Sequence, residues 1–418
     1  MTPPSEAPSD GSSGFTPASQ SDLQHFLTDN SSGPKQALMP LGGGTALSFG
    51  GALSRSAAAI DLTRLDRVVD FPARDMTLTV ESGIRLSRLA EILAAEGQRL
   101  PIDIAQADRA TLGGAIATNT NGPRRFGYGT FRDYVIGLTA MTADGRVFHS
   151  GGRVVKNVAG YDLCKLVVGS LGTLAVITQV TLKLKPKAES SVLVWATFDT
   201  LSAREAAVEG LLKSETRPVA IDALNPAAAG TLQGGSRIAV PAEEWTLVVG
   251  FEGSKRETDW QVETLRQELS SHGPKSVTEV CECDADRLWK ALVEFPAVAA
   301  GTTIQTTLRP SQLAEFEEQA SRFGLATVGR AGDGILIGRI TDAMKGASSP
   351  LEVVTALADW TRQNGGSLVL LSSDVAALPS LAFRFGPSDG TSLMRGLKAT
   401  FDPAGLLNPG RLFATDGT

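Results

Sequence analysis

The run Thr111-Leu112-Gly113-Gly114-Ala115-Ile116-Ala117-Thr118-Asn119-Thr120-Asn121-Gly122 consists almost wholly of small residues. Helix or strand preference does not select such a composition, so the run marks a place where something approaches the backbone closely. Upstream, Ala37 to Leu41 rises as a short apolar strand into a second small-residue segment, Gly42-Gly43-Gly44-Thr45. Between them, Ala57–Leu62 and Thr77–Val80 read as strands. Arg85–Glu96 carries a helical stripe of Leu86, Leu89, Ile92 and Leu93, closed by Gly97. Downstream, Val135–Thr142 and Arg146–His149 form a hairpin across Asp144-Gly145, and Leu174–Leu184 is a long strand stopped by Pro186.

Successive glycines free of side chains present backbone N–H groups that bind phosphate oxygens. The loop at Gly42 is not a Walker loop, because no Gly-Lys-Ser/Thr follows. It is not the dinucleotide fingerprint either, since Leu47 stands where a third glycine belongs. Taken alone it reads equally as a glycine turn. Two such segments in one domain, however, are suited to clamp the two sides of an extended dinucleotide, with Thr111, Thr118 and Asn119 as hydrogen-bonding groups.

The 418 residues carry 39 Lys+Arg against 45 Asp+Glu, a net charge of −6, which excludes nucleic-acid binding by bulk positive charge. With 42% hydrophobic and 20% charged residues the chain can bury a real core. Residues 1–20 are rich in Pro, Ser and Thr and read as a flexible tail with no export signal, and no apolar run is long enough to span a membrane. The three cysteines, Cys164, Cys281 and Cys283, fit a reducing compartment and are too few for an iron–sulfur cluster. Beyond Pro186, alternating helix-like and strand-like blocks predict an α+β second domain of antiparallel sheet and covering helices. The C-terminal helix then leads into Phe401-Asp402-Pro403-Ala404-Gly405-Leu406-Leu407-Asn408-Pro409-Gly410, a stretch that enforces one defined turn.

Five blocks resemble, in order, the vanillyl-alcohol-oxidase (PCMH) type of FAD-binding domain: Leu41–Thr45, Thr111–Asn119, Phe126–Asp133, Gly169–Leu174 and Leu407–Gly410. Within that superfamily, Val155-Lys156-Asn157-Val158-Ala159-Gly160-Tyr161-Asp162 is similar to the smaller FAD-binding subunit of bacterial glycolate oxidase (glycolate dehydrogenase). The resemblance implies an α+β fold in which a two-subdomain FAD-binding domain, 21–186, is followed by a cap or substrate domain, 187–390. A C-terminal segment, 391–418, returns to the FAD domain. It implies FAD with its pyrophosphate on Gly42, Gly43, Gly44 and Thr45, lined by Gly113, Gly114, Thr118, Gly172, Thr173 and Ile177, with Asn408 near the ring. Relatives that tether flavin do so through His or Cys near the glycine loop; Leu41–Gly51 has neither, so the flavin is expected to be non-covalent.

Oxidation of a 2-hydroxy acid needs a base for the hydroxyl proton and a cation or metal for the carboxylate. Catalytic relatives carry His-x-Gly-Asp-Gly-Asn-Leu-His. Here the segment is Arg330-Ala331-Gly332-Asp333-Gly334-Ile335-Leu336-Ile337, with Arg330 and Ile337 in place of the histidines, so no metal site is expected. Arg330 reads either as a planar carboxylate clamp or as a solvated strand-end residue; Arg384, in an alternating segment that reads as a strand, is expected to face either the second-domain cavity or solvent. Of the three histidines, His25 and His272 read as solvated and His149 as structural. Three functions stay open. The chain is an FAD-binding subunit of a complex that oxidises glycolate to glyoxylate, a standalone 2-hydroxy-acid dehydrogenase, or a non-catalytic assembly subunit. The first implies a larger homologous flavin subunit and an iron–sulfur subunit as partners, and a cytoplasmic location with only indirect membrane contact.

Overall fold

The computed structural model describes residues 14–152, 161–242, 244–297, 301–340, 349–375, 378, 383–384 and 390–413. The Val155–Gly160 part of the glycolate-oxidase-like run, Lys156 included, lies outside the described residues. The chain joins the fold earlier than its composition predicts. Phe15 bridges Ile60 and stacks on Phe26 at 4.2 Å, and Ser19 caps the first helix, α1 (Gln20–Ser32), so the expected tail does not extend over residues 15–20.

Among the described residues the first half contains three sheets, one of them the short antiparallel pairing of Gln98–Arg99 with Lys185–Pro186. Strands β1 (Ala37–Leu41) and β2 (Ala57–Asp61) pair in parallel. Then come β3 (Val68–Asp70), β4 (Thr77–Glu81), β5 (Gln98–Arg99), β6 (Val135–Met141), β7 (Val147–Gly151), β8 (Val176–Lys183) and β9 (Lys185–Pro186). Five of these form an antiparallel sheet in the order β3-β4-β8-β6-β7. Gly145, at φ +82°, makes the β6–β7 turn that Asp-Gly predicts. Helices α2 (Leu86–Ala95) and α3 (Leu112–Thr118) bury Leu86, Leu89, Leu93, Leu112 and Ile116 in one core with this sheet. A second core joins α1 and the β1–β2 pair to Leu406 and Leu407 from the C-terminus.

The second half is built on nine antiparallel strands: β10 (Ser190–Phe198), β11 (Ala220–Leu224), β12 (Trp245–Gly253), β13 (Ser276–Val280), β14 (Thr302–Thr307), β15 (Ala326–Arg330), β16 (Ile335–Ile340), β17 (Ser367–Ser372) and β18 (Phe383–Arg384). Their order is β13-β10-β12-β11-β15-β16-β14-β17-β18. Alternation of side chains divides the faces. One face packs against the helices 201–211, 255–270, 313–322 and 350–363 through two apolar cores. The other packs helices 226–236 and 282–294 in a core that runs from β13 to β16 of that order. Further along that second face, positions 303, 305, 330 and 339 are Thr, Gln, Arg and Arg. The fold is thus the expected α+β arrangement of an FAD-binding domain and a large antiparallel sheet domain.

Two seams hold the halves together. Phe126 and Gly127 from the short helix α4 (Arg125–Tyr128) lie against the sheet domain: a Cβ on Gly332 would fall 2.0 Å from the Phe126 ring, and Gly127 N–H donates to the Val219 carbonyl at 3.0 Å. Beside them Glu252, at the end of β12, accepts from Arg99 Nη2 (2.6 Å), Arg124 Nε (2.7 Å) and Tyr128 OH (3.0 Å), while Arg124 also holds Asp103 at 2.6 Å. Burial pushes the Glu252 carboxyl up, but the bonds and charges of the two arginines outweigh it and hold it below the usual glutamate range.

Candidate functional site

The glycine loop after β1 and the segment entering α3, expected to clamp opposite sides of a ligand, touch each other directly. A Cβ on Gly42 would lie 2.0 Å from Thr111 Oγ1, and one on Gly43 would lie 1.7 Å from the Arg109 carbonyl oxygen. The close approach of the two segments therefore demands glycine at both positions, against the Thr111 side chain at Gly42 and against backbone at Gly43. Gly113 is bare for the same reason, with Ser82 Cβ 2.8 Å from where its Cβ would stand. Gly44, at φ +67°, and Gly114, whose Cβ would meet only Thr111 Oγ1 at 3.2 Å, leave open room.

The hydroxyls in these segments serve the fold. Thr111 caps α3, and Thr118 donates back to the Gly114 carbonyl at 3.0 Å and pairs with Thr120. Thr173 donates to the Ser170 carbonyl at 2.7 Å, and Ile177 packs its side chain into the core shared by α2, α3 and the five-stranded sheet. Thr45 is half-buried in the glycine loop.

The open valences lie one step further along. Asn119, in the left-handed region at φ 51°, ends α3, and its Oδ1 is buried without a partner. The turn Gly169–Thr173 runs beside it: Leu171 N–H donates to the Ala117 carbonyl, Leu171 and Gly172 take φ 53° and 63°, and Ser170 Oγ is buried without a partner. A left-handed leucine costs on the order of 1–3 kcal/mol and persists only where its surroundings fix it. Asn408 fixes this one, donating from Nδ2 to the Leu171 carbonyl at 2.8 Å, and its own Oδ1 is again buried without a partner.

Asn408 is positioned by a lysine that the sequence reading did not single out. Lys398, on the C-terminal helix 391–401, donates to Asp402 (2.5 Å), the Thr173 carbonyl (2.7 Å) and the Leu407 carbonyl (2.9 Å); Asp402 in turn accepts from the N–H groups of Leu406 and Leu407. The C-terminal turn is thereby tied to the Gly169–Thr173 turn by a buried ion pair.

From this rim the polar groups continue into the sheet domain. Asn121 donates to the Asn119 carbonyl at 3.0 Å, and its Oδ1 lies 3.4 Å from Arg330 Nη1. Arg330 is a strand-end residue, as expected, but it is not solvated: it ends β15 only 4% exposed, and its Nε has no partner. Directly opposite it on β11 stands Asp222, 1% exposed with both carboxylate oxygens unpartnered. Burial, opposed by Arg330 and reinforced by Asp103 and Asp333, raises Asp222 to about 7, and burial also lowers Arg330 from the usual arginine range. Asp333, in the turn after β15, is held by Arg125 at 3.5 Å. Asp222 was invisible in the sequence, where Ala220-Ile221-Asp222-Ala223-Leu224 reads as any apolar strand.

Two further arginines stand on the same sheet. Arg384 pairs its backbone with Leu368 four strands from Arg330, roughly 19 Å away at ordinary strand spacing, and its side chain lies outside the described residues. Arg339, on β16, has an unpartnered Nε and stacks its guanidinium 5.1 Å from the Phe295 ring. Among the described residues no group of three His, Cys, Asp or Glu stands close enough to hold a metal ion. His149 bonds Thr139 on the edge of the first sheet, His272 packs on Gly210, and His25 is exposed.

The comparisons with known proteins agree with this architecture. Residues 14–151 match the family described as FAD binding domain. Residues 187–369 and 380–412, more than half of the chain, match that of FAD linked oxidases, C-terminal domain. The chain belongs to the FAD-linked oxidases. Among its relatives are the glycolate oxidase subunit GlcD of Bacillus subtilis (27% identical, covering 91% of this chain and 84% of that protein) and a D-2-hydroxyglutarate dehydrogenase of Xanthomonas citri (29%, 91% and 84%). A D-lactate dehydrogenase of Archaeoglobus fulgidus is 30% identical over 89% of this chain and 84% of its own. In fold the chain is similar to alkyldihydroxyacetonephosphate synthase, with a TM-score of 0.67 at 19% identity, covering 94% of this chain and 75% of that one.

The residues present fit the cofactor of this family. Three buried acceptors without partners, Asn119 Oδ1, Ser170 Oγ and Asn408 Oδ1, gather around two turns beside the open backbone at Gly114. Such groups are costly unless a ligand or water completes them. Among the described residues, no helix is long and apolar enough to cross a membrane.

Proposed function

We propose that this chain holds FAD non-covalently and serves as a flavin-bearing subunit of a complex that oxidises a small 2-hydroxy acid, glycolate in the first instance, to the 2-oxo acid. The observation that carries the reading is the continuity of the unpartnered cofactor rim at Asn119 and Asn408 with a buried arginine, through Asn121 to Arg330. FAD, when bound, supplies the acceptor for the substrate's two electrons. The chain's own residues hold the pyrophosphate near Gly44, Thr45 and Gly114, seat the ring near Asn408, and present Arg330 to a carboxylate as a planar two-pronged donor. Named relatives acting on glycolate, D-lactate and D-2-hydroxyglutarate, all 2-hydroxy acids, support the substrate class.

Arg330 and Ile337 stand where relatives have paired histidines, which supports a subunit whose larger homologous partner performs most of the substrate chemistry while an iron–sulfur subunit takes the electrons onward. A second reading, a self-sufficient 2-hydroxy-acid dehydrogenase, is favoured by the Asp222–Arg330 pair, which places an acid and a cation together at the seam. Anaerobic addition of glycolate, then D-lactate, to the flavin-loaded chain separates the two. Bleaching by either acid with the isolated chain establishes the second reading. A flavin that dithionite reduces but hydroxy acids reduce only when the partner subunits are present supports the first.

A further inference from the structure

The Asp222–Arg330 pair is less complete than its neighbours at the seam, where Arg99 Nε and Asp333 Oδ2 also lack a partner but each group keeps an ion pair. Arg124 is closed by Asp103 and Glu252, Arg99 by Glu252, and Arg125 faces Asp333. Asp222 and Arg330, in contrast, are opposed in strand register and almost fully buried, yet neither carboxylate oxygen of Asp222 nor the Nε of Arg330 has a partner. A buried ionised carboxylate without hydrogen bonds is among the costliest arrangements a protein can hold. It is expected where a ligand completes the set.

We propose that Asp222 and Arg330 form a proton-coupled carboxylate site, in which a small carboxylate anion pairs with the Arg330 guanidinium while Asp222 takes up one proton. The inference rests on the functional reading above, which brings a carboxylate to Arg330, and it adds the charge bookkeeping of that site. Two carboxylates sharing one guanidinium in a buried seam do not both stay ionised, so the arriving anion displaces Asp222 from its role as counter-ion. Once protonated, Asp222 changes from acceptor to O–H donor and offers the anion a hydrogen bond in addition to the arginine fork. One anion and one proton enter together, the net charge of the site is unchanged, and no bond to carbon is made or broken.

The charged groups facing Asp222 are Arg330 across the ladder, Asp103 from the FAD domain and Asp333 from the turn after β15, with Arg125 acting on Asp333 and Arg330. With Asp222 raised to about 7, the free chain carries it ionised at pH 8, with a proton to gain, and already protonated at pH 5.5.

The test is calorimetric titration of the flavin-loaded full chain with oxalate, a redox-inert dicarboxylate, in two buffers of different ionisation enthalpy at each pH. The expected result is uptake of close to one proton per oxalate at pH 8 and close to none at pH 5.5. Affinity should fall about tenfold per pH unit above 7. Asp222→Asn should bind oxalate with no proton uptake and no pH slope, and Arg330→Gln should lose oxalate binding by more than tenfold. Buffer-independent heats at pH 8, absence of oxalate binding, or unchanged proton uptake in Asp222→Asn would each overturn the inference. The wild-type buffer comparison decides even if a variant fails to fold. Flavin absorbance, recorded on the same samples, reports the functional reading separately: a chain that takes up no FAD refutes that reading, whereas the buffer dependence of oxalate binding still reports on Asp222.

Discussion

Replacing Glu252 by alanine removes the acceptor on which the two halves of the molecule converge. In the intact chain its carboxylate takes hydrogen bonds from Arg99, Arg124 and Tyr128, and its side chain is 1% exposed. Breaking a buried ion pair by deleting one member costs roughly 3–5 kcal/mol, because the remaining charge is left buried and unpaired. Arg124 keeps Asp103 at 2.6 Å, and the Arg99 side chain is 22% exposed, so the loss belongs at the lower end, about 3 kcal/mol. For domains of this size that corresponds to a fall in melting temperature of roughly 6–12 °C. Scanning calorimetry measures it, and amide exchange across residues 124–128 shows where the seam loosens. The sign with pH also follows. The native carboxyl titrates below its unfolded value, so its contribution is complete above the unfolded glutamate pKa and disappears as pH falls through the native one. A Glu252→Ala protein that melts within about 2 °C of wild type, with unchanged exchange at the seam, refutes the reasoning.

Three further outcomes are expected. Gly43→Ala drives a Cβ into the Arg109 carbonyl and should destabilise the FAD domain by 3 kcal/mol or more, whereas Gly114→Ala should fold normally but weaken FAD at least tenfold, read by flavin fluorescence quenching; equal FAD affinity in Gly114→Ala would sink the placement of the cofactor there. Lys398→Met leaves the buried Asp402 without its cation and the Thr173 and Leu407 carbonyls without their donor, so the Asn408 turn should loosen and FAD dissociate more readily, while unfolding of the sheet domain is unchanged; flavin release against temperature checks this. Asp222 binds its proton more tightly folded than unfolded, so wild-type stability should decline relative to Asp222→Asn as pH rises from about 4 to about 7 and run parallel above. The upper bound is about 4 kcal/mol at 1.36 kcal/mol per pKa unit, and parallel denaturation midpoints across that whole range contradict it.

The parts of this account legible in the sequence are those set by local chemistry. Asp144-Gly145 specifies a hairpin because a tight turn needs positive φ, and the stripe on Arg85–Glu96 specifies a helix because it recurs at helical spacing. The small-residue runs have a reason that composition alone does not give: Gly42, Gly43 and Gly113 are bare because the chain packs on itself there. What was not legible depends on register between distant segments. Thr302–Thr307 is nearly all polar yet forms a central strand, β14, and Asp222 acquires its role only because β11 pairs with β15 so as to set it opposite a residue more than a hundred positions away. Arg330 was singled out from its motif, but the seam that buries it, built from Asn121, Phe126 and Glu252, has no signature in any one stretch of chain. Lys398 likewise looks like any helical lysine until the turn it ties down is in place.

The measurement closest to the central claim is the flavin content of the purified chain before and after acid precipitation. The account predicts one FAD per chain, taken up by the flavin-free protein and released entirely into the acid supernatant. A chain that takes up no FAD, or flavin that stays with the precipitated protein, would contradict it.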